Sequence, residues 1–121
     1  MLLDTTFFID LADEKQSRQS GPAQAFLQKH RHVVHEVSVV TIGEFAVGAE
    51  AAFVRRFFRG FQPRALGREL AIFGGRLQAQ LPFELGENDL WIAATALYYG
   101  VPLVSRDRAF HRVPGLKAVS Y

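Results

Sequence analysis

The opening stretch, Met1-Leu2-Leu3-Asp4-Thr5-Thr6, limits the folds open to this chain more than any other part of it. Met1, Leu2 and Leu3 form an apolar run without alternation, the pattern of a strand covered on both faces of a parallel sheet. The run stops at a carboxylate followed by two hydroxyl residues, and Phe7, Phe8, Ile9 and Leu11 continue with helical spacing. Thr5 or Thr6 is expected to cap that helix. This places Asp4 at the carboxyl end of a central strand, the edge where open α/β sheets bind ligands. The competing reading is that Asp4 itself caps the helix and does nothing else.

At 121 residues the chain is expected to form one domain, spanning 1–121, with room for a buried core. No apolar run reaches the length of a membrane span, and the N-terminus lacks the basic region and cleavage site of an export signal. The absence of cysteine excludes disulfide and thiolate chemistry and fits a cytoplasmic protein. Charge is unevenly spread: residues 1–54 carry four Lys/Arg against seven Asp/Glu, whereas residues 55–121 carry ten against five. A basic second half points weakly to a polyanionic partner.

Beyond the first helix, Asp13 to Gly21 is polar and reads as a loop or a helix break. Gly21-Pro22 opens a second helix with Pro22 suited to its first turn. Val33 to Ser38 reads as a strand. His30, His32 and His35 are near one another in sequence, but they share no helix face and are read as solvated rather than metal-binding. Thr41-Ile42-Gly43-Glu44 matches a capping box, in which Glu44 bonds back to the Thr41 backbone. If Ser38 is the true cap, Glu44 sits too deep for that role and faces the same edge as Asp4. Glu50, six residues on, is expected in solvent.

Phe53, Val54, Phe57, Phe58 and Phe61 fall on one stripe at helical spacing, with Arg55, Arg56 and Arg59 opposite. That stripe is either core or an interface, the core being favoured. Phe61 to Leu66 reads as an edge strand or loop around Pro63, and Ala65 to Leu81 as a helix weakened by Gly74-Gly75. Gly86-Glu87-Asn88-Asp89 begins the best-marked helix, which Gly100 stops. Asp89, Ala93, Ala96 and Gly100 share a face with the acid at its N-terminal end. Val101 to Ser105 is another buried strand, followed by Arg106-Asp107, and Lys117 to Tyr121 is the last.

Asp4, Glu44, Asp89 and Asp107 each follow a strand end or open a helix that starts at the same edge. Four converging carboxylates repel unless a cation lies between them. Oxygen donors without Cys or clustered His select Mg²⁺ or Mn²⁺, which activate water against a phosphodiester.

These motifs resemble those of the PIN-domain ribonucleases, and more closely the VapC-type toxins of toxin–antitoxin pairs, over nearly the whole chain. Leu3-Asp4-Thr5-Thr6-Phe7-Phe8-Ile9, Ser38-Val39-Val40-Thr41-Ile42-Gly43-Glu44-Phe45, Asn88-Asp89-Leu90-Trp91-Ile92-Ala93-Ala94-Thr95-Ala96 and Leu103-Val104-Ser105-Arg106-Asp107 carry the likeness. Thr6 and Trp91 depart from the usual residues, and 61–81 is the least family-like run. The resemblance implies a three-layer α/β/α fold with a mostly parallel sheet of about five strands. It implies that Asp4, Glu44, Asp89 and Asp107 bind metal, with Thr5, Thr6 and Ser105 holding water or phosphate. Hydrolysis of RNA to a 5′-phosphate and a 3′-hydroxyl, an antitoxin partner and a homodimer are implied too. Arg106, Arg108 and Arg112 are expected to touch the RNA backbone. Two alternatives remain: a small-molecule phosphohydrolase, disfavoured because its second acid would stand where Thr6 is, and a catalytically silent binding module.

Overall fold

The structure, a computed structural model, describes residues 1–121. Five short strands build one sheet: β1 (Leu2–Leu3), β2 (Glu36–Ser38), β3 (Gln62–Arg64), β4 (Leu103–Val104) and β5 (Ala118–Val119). Their order is β3-β2-β1-β4-β5, and every pairing is parallel. β1 is therefore central, as its unbroken apolar run predicts. Successive strand residues point to opposite faces. Leu3, Val37 and Val104 accordingly enter one core with Phe7, Phe8, Leu11 and Phe26, while Leu2 and Leu103 enter a second with Leu90, Ile92, Ala93 and Ala96. A helical layer covers each face, which gives the expected three layers.

The first face carries α1 (Thr5–Ser17), α2 (Pro22–Lys29) and α4 (Ala51–Phe57), with Ile42 and Phe45 of α3 (Val39–Val47) packed against them. α1 runs through the segment 13–17 that its polarity marks as a loop. A helix needs only one apolar face, and the exposed residues from Asp13 onward lie where no core contact is required. Gly21, the cap residue of α2, has no side chain to offer. The Glu14 carboxylate replaces it, accepting from the backbone N–H groups of Gly21, Ala23 and Gln24 at 3.0, 2.9 and 2.9 Å.

The second face carries α5 (Arg68–Gln80) and α6 (Glu87–Tyr99). Two features that each look anomalous in the sequence explain one another here. A Cβ on Gly74 would lie 2.6 Å from Cζ3 of Trp91, so the missing side chain in α5 makes room for the large ring on α6. Pro63 sits in β3, an edge strand where the missing N–H is tolerated.

The phenylalanine stripe is largely interior. Phe57 and Phe58 are buried against Phe8 and Phe45, whereas Phe53 is 41% exposed. The stripe as a whole is thus not an interface. What stays open is a groove of about 700 Å³ between α1 and α4, lined by Ala12, Lys15, Ala49, Phe53 and Arg56 among others. No helix is long and apolar enough to cross a membrane.

Candidate active site

The chain enters β2 and β3 on one side of β1 and β4 and β5 on the other, so the strand order reverses beside β1. Crossovers diverge from that point and leave a crevice at the carboxyl ends of the strands. Asp4 and Ser105, the residues following β1 and β4, meet there across 101 positions of sequence. The Ser105 hydroxyl donates to Oδ2 of Asp4 at 2.5 Å.

Asp4 caps a helix and also stands at the carboxyl edge of the sheet, so the two readings do not exclude one another. It is the N-cap of α1, with Oδ1 accepting from the Phe7 N–H at 2.8 Å, so neither Thr5 nor Thr6 is the cap. Asp4 is only 4% exposed, and burial pushes its carboxyl up to about 6. The bonds from Ser105 and Phe7 oppose that rise, and the charges of Asp89 and Asp107 add to it.

Ser38 caps α3 by accepting from the Val40 N–H at 3.1 Å, which removes the capping box and frees Glu44. Glu44 turns instead toward α1, where Oε1 accepts from the Thr5 hydroxyl at 2.8 Å. Thr5 and Thr41 also share a hydrogen bond of 2.9 Å between their hydroxyls. Thr41 is fully buried and escaped the sequence reading because its only visible role was capping.

Asp89 lies in the first turn of α6, where the helix dipole favours an anion. Its carboxyl is nevertheless raised, first by burial and then by Asp107 and Glu44. Asp107 caps a 3₁₀ turn, Arg108–Arg112, by accepting from the Ala109 N–H at 2.9 Å. The Ser105 hydroxyl accepts from the Asp107 N–H at 2.9 Å, so one buried hydroxyl fixes two acids.

Asp4 and Asp89 are thus each raised in part by neighbouring acids, the first by Asp89 and Asp107 and the second by Asp107 and Glu44. No three acidic or histidine side chains are gathered tightly enough to enclose a cation. The donor set fits a hard divalent ion in kind, being all oxygen. Thr6 is exposed and lies outside the hydrogen bonds that tie the cluster together, so the structure does not bring it to the acids.

The three arginines separate. Arg106 donates to Oδ2 of Asp10 at 2.5 Å and lies over the Tyr121 ring, whose hydroxyl donates to the same oxygen at 2.6 Å. Burial and the bond to Asp10 hold the Tyr121 phenol above its ordinary range. Arg108 is exposed beside Asp107, and Arg112 is stacked over Phe83, 4.1 Å from the ring centre. Of the histidines, His30 packs at a tilt against Phe26, and His35 is held below its usual range by burial first and then by the N-terminus and His30.

A sequence profile of the PIN domain matches residues 1–116, nearly the full chain. The chain belongs to the PIN domain family. It is 31% identical over 98 residues to Ribonuclease VapC4 of Mycobacterium tuberculosis, an alignment covering 69% of this chain and 75% of that protein. Among solved structures, the PIN fold of this chain is similar to the DNA-bound VapBC complex of Salmonella typhimurium, with a TM-score of 0.83 at 24% identity. VapBC2 of Rickettsia felis, bound to a DNA fragment from its promoter, gives 0.79 at 18%. Each superposition covers 98% of this chain and 96% of the other. At such identities the likeness establishes the fold.

Proposed function

We propose that this PIN domain is an endoribonuclease dependent on Mg²⁺ or Mn²⁺, acting in the cytoplasm as the toxin of a toxin–antitoxin pair. The observation that supports this reading is that Asp89 and Asp107 help to push Asp4 up to about 6, while Asp107 and Glu44 help to raise Asp89, so acids from four separate segments lie within reach of one another's charge. Maintaining such frustrated charge favours a ligand that relieves it. The relationship to Ribonuclease VapC4 supports RNA as substrate.

Asp4, Glu44, Asp89 and Asp107 would hold the metal. A bound divalent ion supplies polarised water and neutralises charge on the scissile phosphate. The protein's contribution is orientation. Ser105 fixes Asp4 and the Asp107 backbone, and Thr5, backed by Thr41, aims Glu44. Asp89 alone of the four accepts no hydrogen bond at its carboxylate. No 2′-hydroxyl nucleophile is required, so the products are a 5′-phosphate and a 3′-hydroxyl.

The partner reading is narrower than the full phenylalanine stripe. We assign the antitoxin to the groove around Phe53, and the chain itself to a homodimer. Incubation of RNA with the purified protein and Mg²⁺ or Mn²⁺ should give cleavage that chelation stops. Products bearing a 2′,3′-cyclic phosphate would overturn the reading. Phe53→Asp should abolish antitoxin capture and leave the fold intact; retained capture would remove the groove from the partner surface.

A further inference from the structure

Beside the acids, on the side of Asp107, lies an open pocket of about 520 Å³ whose lining contains no hydrophobic residue: Arg106, Arg108, His111 and Ser120. Nothing in the hydrolytic scheme above uses it. Its walls are all hydrogen-bond donors by type, with two permanent cations among them. A pocket of this composition is built for an anion.

Two features fix where the pocket stands and how ready it is. Arg106 and Arg108 are the immediate chain neighbours of Asp107, and adjacent Cα atoms are only about 3.8 Å apart. The 3₁₀ turn that carries Arg108 and His111 is capped by the Asp107 carboxylate and anchored by the buried Phe110. Acid and pocket therefore share one rigid support. Arg106 is also fixed in advance: Asp10 takes one guanidinium N–H and the Tyr121 ring supports its face. A guanidinium has five N–H donors, so donors remain for a ligand. Because side-chain freedom is already lost, less is lost on binding.

We propose that Arg106, Arg108, His111 and Ser120 form a subsite for a backbone phosphate of the RNA strand, flanking the phosphate that is cut. The inference rests on the ribonuclease reading above. Arg112, though close in sequence, does not line the pocket and lies over Phe83 instead. Asp10 and Tyr121 act as positioning residues through Arg106.

The test is equilibrium binding of a fluorescently labelled single-stranded RNA in chelator, where nothing is cut, across a salt series. Each phosphate contact on a single strand contributes about −0.7 to the slope of log K against log salt. Arg108→Ala should flatten the slope by that amount and weaken binding several-fold at low salt, while Arg108→Lys restores the slope. Arg106→Ala should flatten it equally, and Tyr121→Phe, which keeps the ring but loses the bond to Asp10, should weaken binding with the slope unchanged. Arg55→Ala, on the far surface of α4, controls for loss of any positive charge. With metal present, Arg108→Ala should raise KM and leave kcat near the parent value. Equal flattening by Arg112→Ala or Arg55→Ala would mean diffuse attraction and overturn the subsite. Unchanged RNA binding with lost antitoxin binding would overturn it in favour of an acidic peptide. A parent protein that binds RNA with the predicted slopes yet never cuts it would sink the nuclease reading and leave the subsite standing.

Discussion

The two oxygens of Asp4 divide their tasks, one closing α1 and one meeting Ser105. The sequence favoured Thr5 or Thr6 as the cap and left Asp4 as the competing reading, because hydroxyl and carboxylate side chains both cap helices. The buried hydroxyl opposite Asp4 was not legible, because 101 residues separate the pair. Protonation makes the linkage testable. The folded-state carboxyl stands above its unfolded value, so the metal-free protein is most stable below about pH 4 as far as Asp4 is concerned, and that stability is lost as pH rises through about 6. The shift corresponds to about 3 kcal/mol at ~1.4 kcal/mol per unit. Asp4→Asn should flatten the pH dependence of urea unfolding in chelator and stabilise the protein at pH 7.5 by up to that amount. Cleavage should be lost. A variant as pH-dependent as the parent would show that Asp4 is not the frustrated group.

Thr5 gives a second measurement of the same kind. Replacing it with Val removes the donor to Glu44 and leaves Thr41 facing a methyl group. A supporting bond to a ligating group is worth ~10–100-fold in metal affinity or activity. Thr5→Val should lose that much metal affinity, read by calorimetry, and Thr5→Ser should recover most of it. Equal affinities for Val and Ser would mean that the hydroxyl does not orient Glu44.

Among the helices, boundaries were harder to read than existence. The strong periodicity of α6 and the glycine after it mark that helix from sequence alone. α1 outruns its apolar pattern by a full turn, and α2 takes its cap from another helix. Glu14→Ala should therefore cost about 1–2 kcal/mol, the range of a lost N-cap. Thermal melting would test this, and a variant as stable as the parent would mean that water substitutes for the carboxylate.

The glycine pair in α5 separates helix propensity from packing. Ala is about 1 kcal/mol better than Gly in a helix interior. Nothing lies within 4 Å of a Cβ at Gly75, so Gly75→Ala should stabilise by up to that amount. Gly74→Ala meets the Trp91 ring and should instead destabilise by about 1–3 kcal/mol, the usual cost of overpacking. Combining Gly74→Ala with Trp91→Leu should recover much of the loss. Neither residue explains the other until the two helices are packed. The phenylalanine stripe teaches the converse: Phe57→Asp with Phe58→Asp should unfold the domain rather than dissociate it, because a charge would replace core.

A mostly parallel sheet with β1 near its middle was readable, because apolar runs without alternation occur where both faces are covered. The order of strands on either side of β1 was not written in any local pattern, and that order is what brings the acids together. β1 is made first, but its two neighbours arrive at very different times. β2 follows after one helical layer, whereas β4 must wait until Leu103 has been synthesised. Contacts that distant form late and slowly, since a long loop must close before they are rewarded. On a translating ribosome, then, Asp4 stands at an open strand edge for most of the time the chain is being made. Ser105 and Asp107 follow β4, so a growing chain already carries Asp4, Glu44 and Asp89 before the Ser105 hydroxyl can reach Asp4.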